Sequence, residues 1–323
     1  MNNTAPPKQE SYMAVRPTAF SVDQILSFDL YRSTGGQITL YRSRDYPFTR
    51  DDLQQLIESG CNKLYVPESQ RNLFYDHTRR RLPRLLKDES VPLEEKLEIL
   101  SETSVNILGR MLDNPMSSEE VSGVVSQCRN HVRLAFIGDK ARNTMVTNRA
   151  QAPFPIAHAV SVANLALVLG MDCSVAGADQ LHELGIGALL HEIGKSQLDR
   201  DYYYQPESCK LRNDPRMEQY PQVGRDMLKR TELVPPGALL AVAEHRERLD
   251  GSGFPAKLKD AEISHAGRIV AICDYYDERV NGADRQTPAT PFEALSEMKQ
   301  AKEKFDPAIL MRLVEILGRV SKN

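Results

Sequence analysis

The chain has 323 residues, 41% of them hydrophobic, which is enough to build an ordinary buried core in one large domain or two smaller ones. Its formal net charge is only −3 and its basic residues are not concentrated in one block, so it lacks the electrostatic footprint that duplex nucleic acid requires. A nucleotide ligand is compatible with this composition. The longest apolar stretch, Ile156 to Met171, contains His158 and is shorter than the roughly 20 apolar residues that span a bilayer, so no membrane span is predicted.

The first segment, Met1 to Pro17, is polar and contains prolines. It has neither the apolar core nor the small-residue cleavage site of a signal peptide, so we expect a disordered lead and a cytoplasmic protein. The cysteines lie far apart without a C-x-x-C pair, which favours buried free thiols over a disulfide framework or a thiolate zinc site. They are Cys61, Cys128, Cys173, Cys209 and Cys273.

Residues 18–90 combine strand and helix patterns. Strands are predicted at Phe28–Tyr31 and Gln37–Tyr41, on either side of a glycine-containing turn, and again at Lys63–Val66. The segment Thr49–Asp52 is typical of a helix cap. These features predict a small α/β module, which we expect to be regulatory.

Residues 91–150 are predicted to form a helical linker. Apolar residues recur there at helical spacing, and Asn114-Pro115 marks a break between two helices. The first of these helices contains Leu97, Leu100, Val105, Leu108 and Leu112. Such amphipathic helices either pair between two subunits, giving a homodimer, or pack onto their own domain, and the pattern favours neither.

Residues 151–323 carry helix patterns throughout and no strand signal, which predicts an all-α domain. Together with the N-terminal module this gives an α+β chain. The candidate helices are Ile156–Leu169, Gly177–Ile193, Met217–Lys229, Pro236–Arg246, His265–Arg279, Phe292–Glu303 and Ile309–Arg319.

The run Leu190-His-Glu-Ile-Gly-Lys195 sets an imidazole beside a carboxylate and follows them with a lysine. Adjacent helix positions are about 100 degrees apart, so His191 and Glu192 can face one cavity only if the helix lies across it. Other helices must then supply more ligands, and His158 and Asp274 are of suitable type. Two imidazoles and two carboxylates suit one zinc, manganese or iron ion, which activates water for attack on a phosphodiester. Lys195 is the predicted catalytic residue, because its ammonium would neutralise charge on the phosphoryl oxygens.

Each of these residues taken alone also fits a core histidine or a solvated helix end, but several ordered motifs together resemble the HD-GYP branch of the HD superfamily of metal-dependent phosphohydrolases. The resemblance covers about half of the chain, from about Pro153 to Arg319. It implies hydrolysis of the second messenger cyclic di-GMP and a regulatory role for the N-terminal module. The motifs are His158-Ala-Val-Ser-Val162, His191-Glu-Ile-Gly-Lys195, Tyr220-Pro-Gln-Val-Gly224, His245-Arg-Glu-Arg-Leu-Asp-Gly-Ser-Gly-Phe-Pro255, Arg268-Ile-Val-Ala-Ile-Cys-Asp-Tyr-Tyr-Asp277 and Phe305-Asp-Pro307.

Five positions depart from the family pattern. Glu192 replaces the signature aspartate and keeps its charge, while Phe254 replaces the tyrosine of the Gly-Tyr-Pro motif and keeps the ring. Tyr220 and Arg246 each replace a histidine that the resemblance implies is a metal ligand, and Phe154 stands where some members have a carboxylate for a third ion. The resemblance therefore implies at most one ion per chain, held by His158, His191, Glu192 and Asp274, or none.

Two functions follow from this pattern. One is a metal-dependent phosphodiesterase with a reduced centre, in which His245, Arg246, Asp250, Gly251 and Gly253 bind the substrate; a guanidinium matches phosphate geometry, and the glycines allow close backbone approach. The other is an inactive module that binds cyclic di-GMP or a protein partner, such as a diguanylate cyclase domain. A purely structural scaffold is the third interpretation.

Overall fold

The computed structural model describes residues 10–173, 175, 177–198, 214–282 and 288–320. The chain forms two compact units, Met1–Ile99 and Leu100–Asn323. A small sheet module lies near the N-terminus and helices follow it, so the predicted α+β class is confirmed.

The first unit contains a four-stranded antiparallel sheet with strand order β1-β6-β3-β4, and a separate two-stranded pair formed by β2 and β5. Four phenylalanines, Phe20, Phe28, Phe48 and Phe74, fill its core at 2% exposure or less. The strands are β1 (Tyr12–Val15), β2 (Gln24–Ile25), β3 (Leu30–Thr34), β4 (Gln37–Arg42), β5 (Pro47–Phe48) and β6 (Leu64–Pro67), and the helices are α1 (Arg50–Glu58), α2 (Arg71–Leu85) and the first part of α3 (Leu93–Asp113).

Strand β1 corrects one expectation. Residues 12–15 were assigned to a disordered lead, but they pair along their whole length with β6, and Val15 is only 6% exposed. The prediction was wrong for these residues because the short segment Tyr-Met-Ala-Val is hidden in a stretch that is polar on average. The capping box expected at Thr49–Asp52 is present at the start of α1.

The second unit is built from helices among its described residues. A 3₁₀ segment, Ile193–Gln197, follows α7. Besides the rest of α3, the helices are α4 (Ser118–Ala135), α5 (Asp139–Thr147), α6 (Phe154–Asp172), α7 (Gly177–Leu190), α8 (Pro215–Arg230), α9 (Pro236–Glu244), α10 (His265–Asn281), α11 (Pro291–Gln300) and α12 (Pro307–Val320).

Helix α6 is the most apolar element of this unit. It runs for 19 residues and contains an 18-residue window with a mean hydropathy of 1.7, so by length and composition it is apolar enough to cross a membrane. The helix is longer than the apolar stretch Ile156 to Met171, which was considered too short to span a bilayer. In the structure 78% of that apolar window is buried within the protein. Core helices pass the same compositional test, and α6 packs as one.

Helix α4 packs onto its own unit. His182 on α7 donates from Nε2 to the carbonyl oxygen of Val125 at 2.8 Å, and the Cys128 thiol contacts the carbonyl oxygen of His182 at 3.4 Å. His131 is fully buried and bonds through Nδ1 to Asn164 of α6 at 2.8 Å. Helix α4, predicted as part of the linker, therefore supplies part of the core of its own unit.

His131 makes the stability of this unit dependent on pH. Burial lowers the pKa of His131 from 6.5 to about 4, although the hydrogen bond to Asn164 opposes the shift. The neutral form therefore stabilises the fold fully above pH 6.5, and this contribution is lost as the pH falls from 6.5 towards 4; at pH 5 the loss is about 2 kcal/mol. We expect the free energy of unfolding, measured with urea at pH 7 and pH 5, to fall by about 2 kcal/mol less in His131→Gln than in the wild type. The exposed His265→Gln variant is the control and should match the wild type; an unchanged pH response in His131→Gln would contradict the prediction.

Candidate metal centre

Four side chains from three parts of the helical unit meet at one buried point. His158 lies on α6, His191 and Glu192 directly follow α7, and Asp274 lies on α10. One potential ligand atom from each residue lies within 4.8 Å of the others, and all four residues are buried. The structure therefore brings together the four residues that were predicted to bind a metal ion.

The chain turns where the His-Glu pair lies. Helix α7 ends at Leu190, and Glu192 has φ −97° and ψ 4°, so both side chains can reach the same point without a helix that crosses the cavity. The expectation of a crossing α-helix was wrong, because α7 ends at Leu190 and both His191 and Glu192 lie in the turn before the 3₁₀ segment, where the 100-degree step of an α-helix does not apply. Gly194 allows this segment to approach α8 closely, since a Cβ there would lie 1.9 Å from the carbonyl oxygen of Tyr220.

Hydrogen bonds to Nδ1 set the tautomers of both histidines. His191 donates from Nδ1 to the carbonyl oxygen of Ala188 at 2.7 Å, and His158 donates from Nδ1 to Oδ2 of Asp277 at 2.7 Å. In its neutral form each ring then has its lone pair on Nε2, and these two nitrogens lie 3.2 Å apart. Two facing lone pairs repel each other unless a cation or a proton lies between them.

Asp274 completes this electron-rich group. Its Oδ1 lies 3.1 Å from Nε2 of His158 and 3.4 Å from Nε2 of His191, and its side chain is fully buried. Oδ2 has no hydrogen-bond donor among the described residues, although the Arg246 guanidinium lies 3.3 Å away. Burial raises the pKa of Asp274, but Arg246 and the two histidines outweigh burial and hold it well below its usual range. Asp274 is therefore a charged candidate ligand, and its Oδ2 accepts no hydrogen bond from the described residues.

The raised pKa of His158 shows that this cluster of four side chains favours positive charge. Burial favours its neutral form, yet the hydrogen bonds to Asp274 and Asp277 outweigh burial and hold the pKa of His158 well above its usual value. Burial also opposes the charge on Glu192, but Lys195 and His158 keep its pKa well below the usual range. Two imidazole nitrogens and two ionised carboxylates form a donor set that fits a zinc, manganese or iron ion.

Lys195 is a buried cation beside these ligands. It is 4% exposed, and its Nζ donates a hydrogen bond to Oε1 of Glu192. The same ammonium lies 4.9 Å from the centroid of the Tyr220 ring. The predicted catalytic lysine is thus adjacent to the ligand set and pairs with one of its members.

A hydrogen-bonded chain of Tyr220, His245 and Arg246 lies next to the ligands. His245 donates from Nδ1 to the carbonyl oxygen of Val242 at 2.8 Å, so its Nε2 accepts from the Tyr220 hydroxyl, also at 2.8 Å. The hydroxyl in turn accepts from Nε of Arg246 at 2.8 Å. The two terminal nitrogens of Arg246 donate to the carboxylate of Glu278 at 2.6 and 3.1 Å. The side-chain nitrogens of His245 and Arg246, two of the predicted substrate-binding residues, are therefore all engaged within the protein.

Arg246 also faces the ligand carboxylates. Its terminal nitrogens lie 3.6 Å from Oε1 of Glu192 and 3.3 Å from Oδ2 of Asp274. Burial and the neighbouring His191 and Arg246 hold the pKa of His245 well below its usual value, although Asp274 opposes them, so this ring stays neutral. The resident positive charges on this side of the cluster are those of arginine and lysine.

The loop Asp250–Pro255 keeps its two glycines for backbone reasons. Gly251 has φ +76°, which side-chain-bearing residues rarely adopt. A Cβ at Gly253 would lie 2.4 Å from the backbone nitrogen of Arg248. These contacts explain the glycines without a ligand.

The loop meets the site through its aromatic residue. The Phe254 ring centroid lies 6.4 Å from that of Tyr220. Asp250 is exposed, and its Oδ1 accepts from the backbone nitrogen of Ser252 at 2.9 Å. Substrate binding by Asp250, Gly251 and Gly253 stays a prediction.

Two acidic residues on α10 were not recognised from the sequence. Asp277 accepts from His158, and Glu278 holds the guanidinium of Arg246. They follow Asp274 at the i+3 and i+4 positions, which lie on the same face of a helix. That spacing was the available signal.

The fold and the site together define a class of protein in which helices hold a buried set of one histidine, a neighbouring His-Glu pair and one aspartate. The family model described as "HD domain" matches residues 142–309, which is more than half of the chain. The chain belongs to the HD domain family, and the predicted membership is confirmed.

The chain is similar to two curated enzymes over part of their length. It is 26% identical over 215 residues to the cyclic di-GMP phosphodiesterase PA4108 of Pseudomonas aeruginosa, covering 65% of this chain and 49% of that protein. It is 30% identical over 137 residues to a cyclic di-GMP phosphodiesterase of Thermotoga maritima, covering 42% of this chain and 37% of that protein. The matches therefore span half or less of each relative.

A solved structure shows the same fold. Bd1817, an HDG"Y"P protein from Bdellovibrio bacteriovorus, superimposes with a TM-score of 0.67 over 95% of this chain and 100% of that one, at 18% sequence identity. At this identity the likeness concerns the fold alone.

Proposed function

We infer that this chain is a metal-dependent phosphodiesterase that hydrolyses cyclic di-GMP in the cytoplasm with a single divalent ion. The observation that carries the proposal is the convergence of Nε2 of His158, Nε2 of His191 and Oδ1 of Asp274 within 3.4 Å of one another. Glu192 is the fourth ligand. Similarity to two cyclic di-GMP phosphodiesterases supports the choice of substrate.

The ion would supply an activated water and polarise a phosphoryl oxygen. The protein residues hold the charges around it. Lys195 lies beside Glu192 and out of contact with bulk water, where an ammonium stabilises developing negative charge more strongly than it does in solution. Asp277 and the Ala188 carbonyl accept the Nδ1 protons of His158 and His191, so Nε2 is the nitrogen that each ring would offer to an ion. His158, whose pKa is raised in the absence of an ion, would give up its Nε2 proton to do so.

A single ion is favoured by the resident cations. Arg246 carries a permanent charge within 3.6 Å of carboxylate oxygens of Glu192 and Asp274, so a second divalent ion there would be repelled. His245 does not offer a free lone pair, since its Nε2 accepts from Tyr220. If Arg246 also binds a substrate phosphate, it must exchange part of its pairing with Glu278 for that contact.

Metal content and turnover measured on one purified sample test the proposal. We expect about one transition-metal ion per chain and metal-dependent release of the linear dinucleotide or GMP from cyclic di-GMP. His191→Ala should lose both, because it removes one of two imidazole ligands. His265→Ala, the same substitution at an exposed histidine, is the control and should lose neither. Two or more tightly bound ions per wild-type chain would refute the single-ion centre, and a metal-loaded protein without turnover would refute the assigned reaction.

An inactive binding module is the alternative, and the closed chain of Tyr220, His245 and Arg246 favours it. These side chains form hydrogen bonds with one another and with Glu278, so their polar atoms are already engaged within the protein. Binding of cyclic di-GMP without hydrolysis, or capture of a purified diguanylate cyclase domain, would select this function. Pairing of two copies through the helices of residues 91–150 belongs to the same proposal and would appear as a dimer in light scattering.

A further inference from the structure

A carboxylate lies behind one of the proposed metal ligands. Asp277 is on α10, three residues beyond Asp274, and is only 5% exposed. Its Oδ2 accepts the Nδ1 proton of His158 at 2.7 Å, on the far side of the ring from Nε2. Asp277 therefore contacts the ligand, while the ligand's other nitrogen faces the site.

Asp277 is itself held in place. Its Oδ1 accepts from Nδ2 of Asn281 at 2.7 Å, one turn further along α10. The Phe154 ring stacks on the His158 ring, with centroids 5.2 Å apart and planes 17° from parallel. Both oxygens of Asp277 are thus used, and the plane of the imidazole is restricted.

The competing state of His158 would disable the site. If the neutral ring carried its proton on Nε2, that proton would be donated to Oδ1 of Asp274, only 3.1 Å away. This hydrogen bond would consume a nitrogen lone pair and a carboxylate oxygen at once. An acceptor at Nδ1 opposes this state, because it holds the proton on the opposite nitrogen.

We propose that Asp277 is a positioning residue, which fixes the tautomer and orientation of His158 so that Nε2 is available to a metal ion, with Asn281 holding Asp277 in turn. The role rests on the proposed metal centre. It does not require Asp277 to contact the ion or the substrate.

Asp277→Asn tests this role, because an amide NH₂ can donate to Nδ1 and move the ring proton to Nε2. We expect the dissociation constant for Zn²⁺, measured by competition with a chromophoric chelator, to rise by about 10- to 100-fold. Asp172→Asn is the matched control, since it makes the same substitution on α6 at a carboxylate that pairs with Arg319 at the surface. Its affinity should equal that of the wild type.

A second readout needs no metal. In protein with ¹⁵N-labelled histidine, the hydrogen-bonded Nδ1 proton of His158, assigned with His158→Gln, should give a downfield resonance in the wild type and lose it in Asp277→Asn. Wild-type Zn²⁺ affinity in Asp277→Asn, or an unchanged Nδ1 resonance, would overturn the proposal.

A second variant applies if Asp277→Asn does not fold. Asn281→Ala should weaken Zn²⁺ binding in the same direction but less, and wild-type affinity in that variant would also overturn the proposal. A wild-type protein that binds no ion would refute the metal centre, while the resonance would still decide whether Asp277 sets the tautomer.

Discussion

Replacing Asp274 by asparagine is expected to empty the proposed metal site and to reduce the proposed hydrolysis of cyclic di-GMP by about 1,000-fold or more. Asp274 supplies the only oxygen seen within 3.4 Å of both ligand nitrogens, among the described residues. An amide keeps the shape of the side chain but removes the charge, and the ion then faces two neutral imidazoles and the carboxylate of Glu192 alone.

Metal content by elemental analysis and turnover at saturating substrate check this result. Asp226→Asn, at a half-exposed carboxylate on α8, is the matched control and should keep both properties. Circular dichroism must show a folded variant, because the substitution also takes a negative partner from Arg246. Retention of one ion per chain with wild-type turnover would show that Asp274 is not a ligand.

The double substitution of Tyr220 and Arg246 by histidine is expected to raise the metal content from about one to about two ions per chain. Arg246→His removes a buried permanent charge beside Glu192 and Asp274, and Tyr220→His releases Nε2 of His245 from the hydroxyl that it now accepts from. Three imidazoles and the existing carboxylates would then be available on that side of the cluster.

Elemental analysis after dialysis measures the stoichiometry, and manganese-loaded protein provides a second readout, since two ions a few ångströms apart give an exchange-coupled electron paramagnetic resonance spectrum. Arg268→His is the control, because Arg268 lies on α10 but pairs with Asp306 away from the ligands, and its metal content should stay at the wild-type value. A double variant that folds and still binds one ion would mean that Arg246 is not what limits the centre.

The elements of the fold were predictable where the pattern is local. The capping box at Thr49–Asp52 and the hairpin that includes β4 follow from a few adjacent residues, and both are present. Strand β1 was missed because its stability comes from pairing with β6, about fifty residues later, and only four residues carry the signal. Helix α4 was recognised as a helix, but its choice of partner depended on Val125 and Cys128 meeting His182, which no periodicity reports.

The site was predictable in residue type and much less so in geometry. His158, His191, Glu192 and Asp274 could be named because their types and order resemble a family of metal-dependent phosphohydrolases, and the structure places their ligand atoms together. The way in which neighbouring His191 and Glu192 share one point could not be derived, since it depends on where α7 ends.

The sequence by itself determined the family, the all-α nature of the C-terminal half and the types of the candidate ligands, because these depend on composition, helical spacing and ordered motifs. Only the tertiary structure decided which imidazole nitrogen faces the site and that Arg246 is already paired. Those properties come from contacts between residues far apart in the chain, such as His158 with Asp277 over 119 positions and Arg246 with Glu278 over 32. The hydrogen bond from His158 to Asp277 sets which ring nitrogen carries the proton, and Glu278 pairs with the guanidinium of Arg246. Packing of the helices determines that these groups meet.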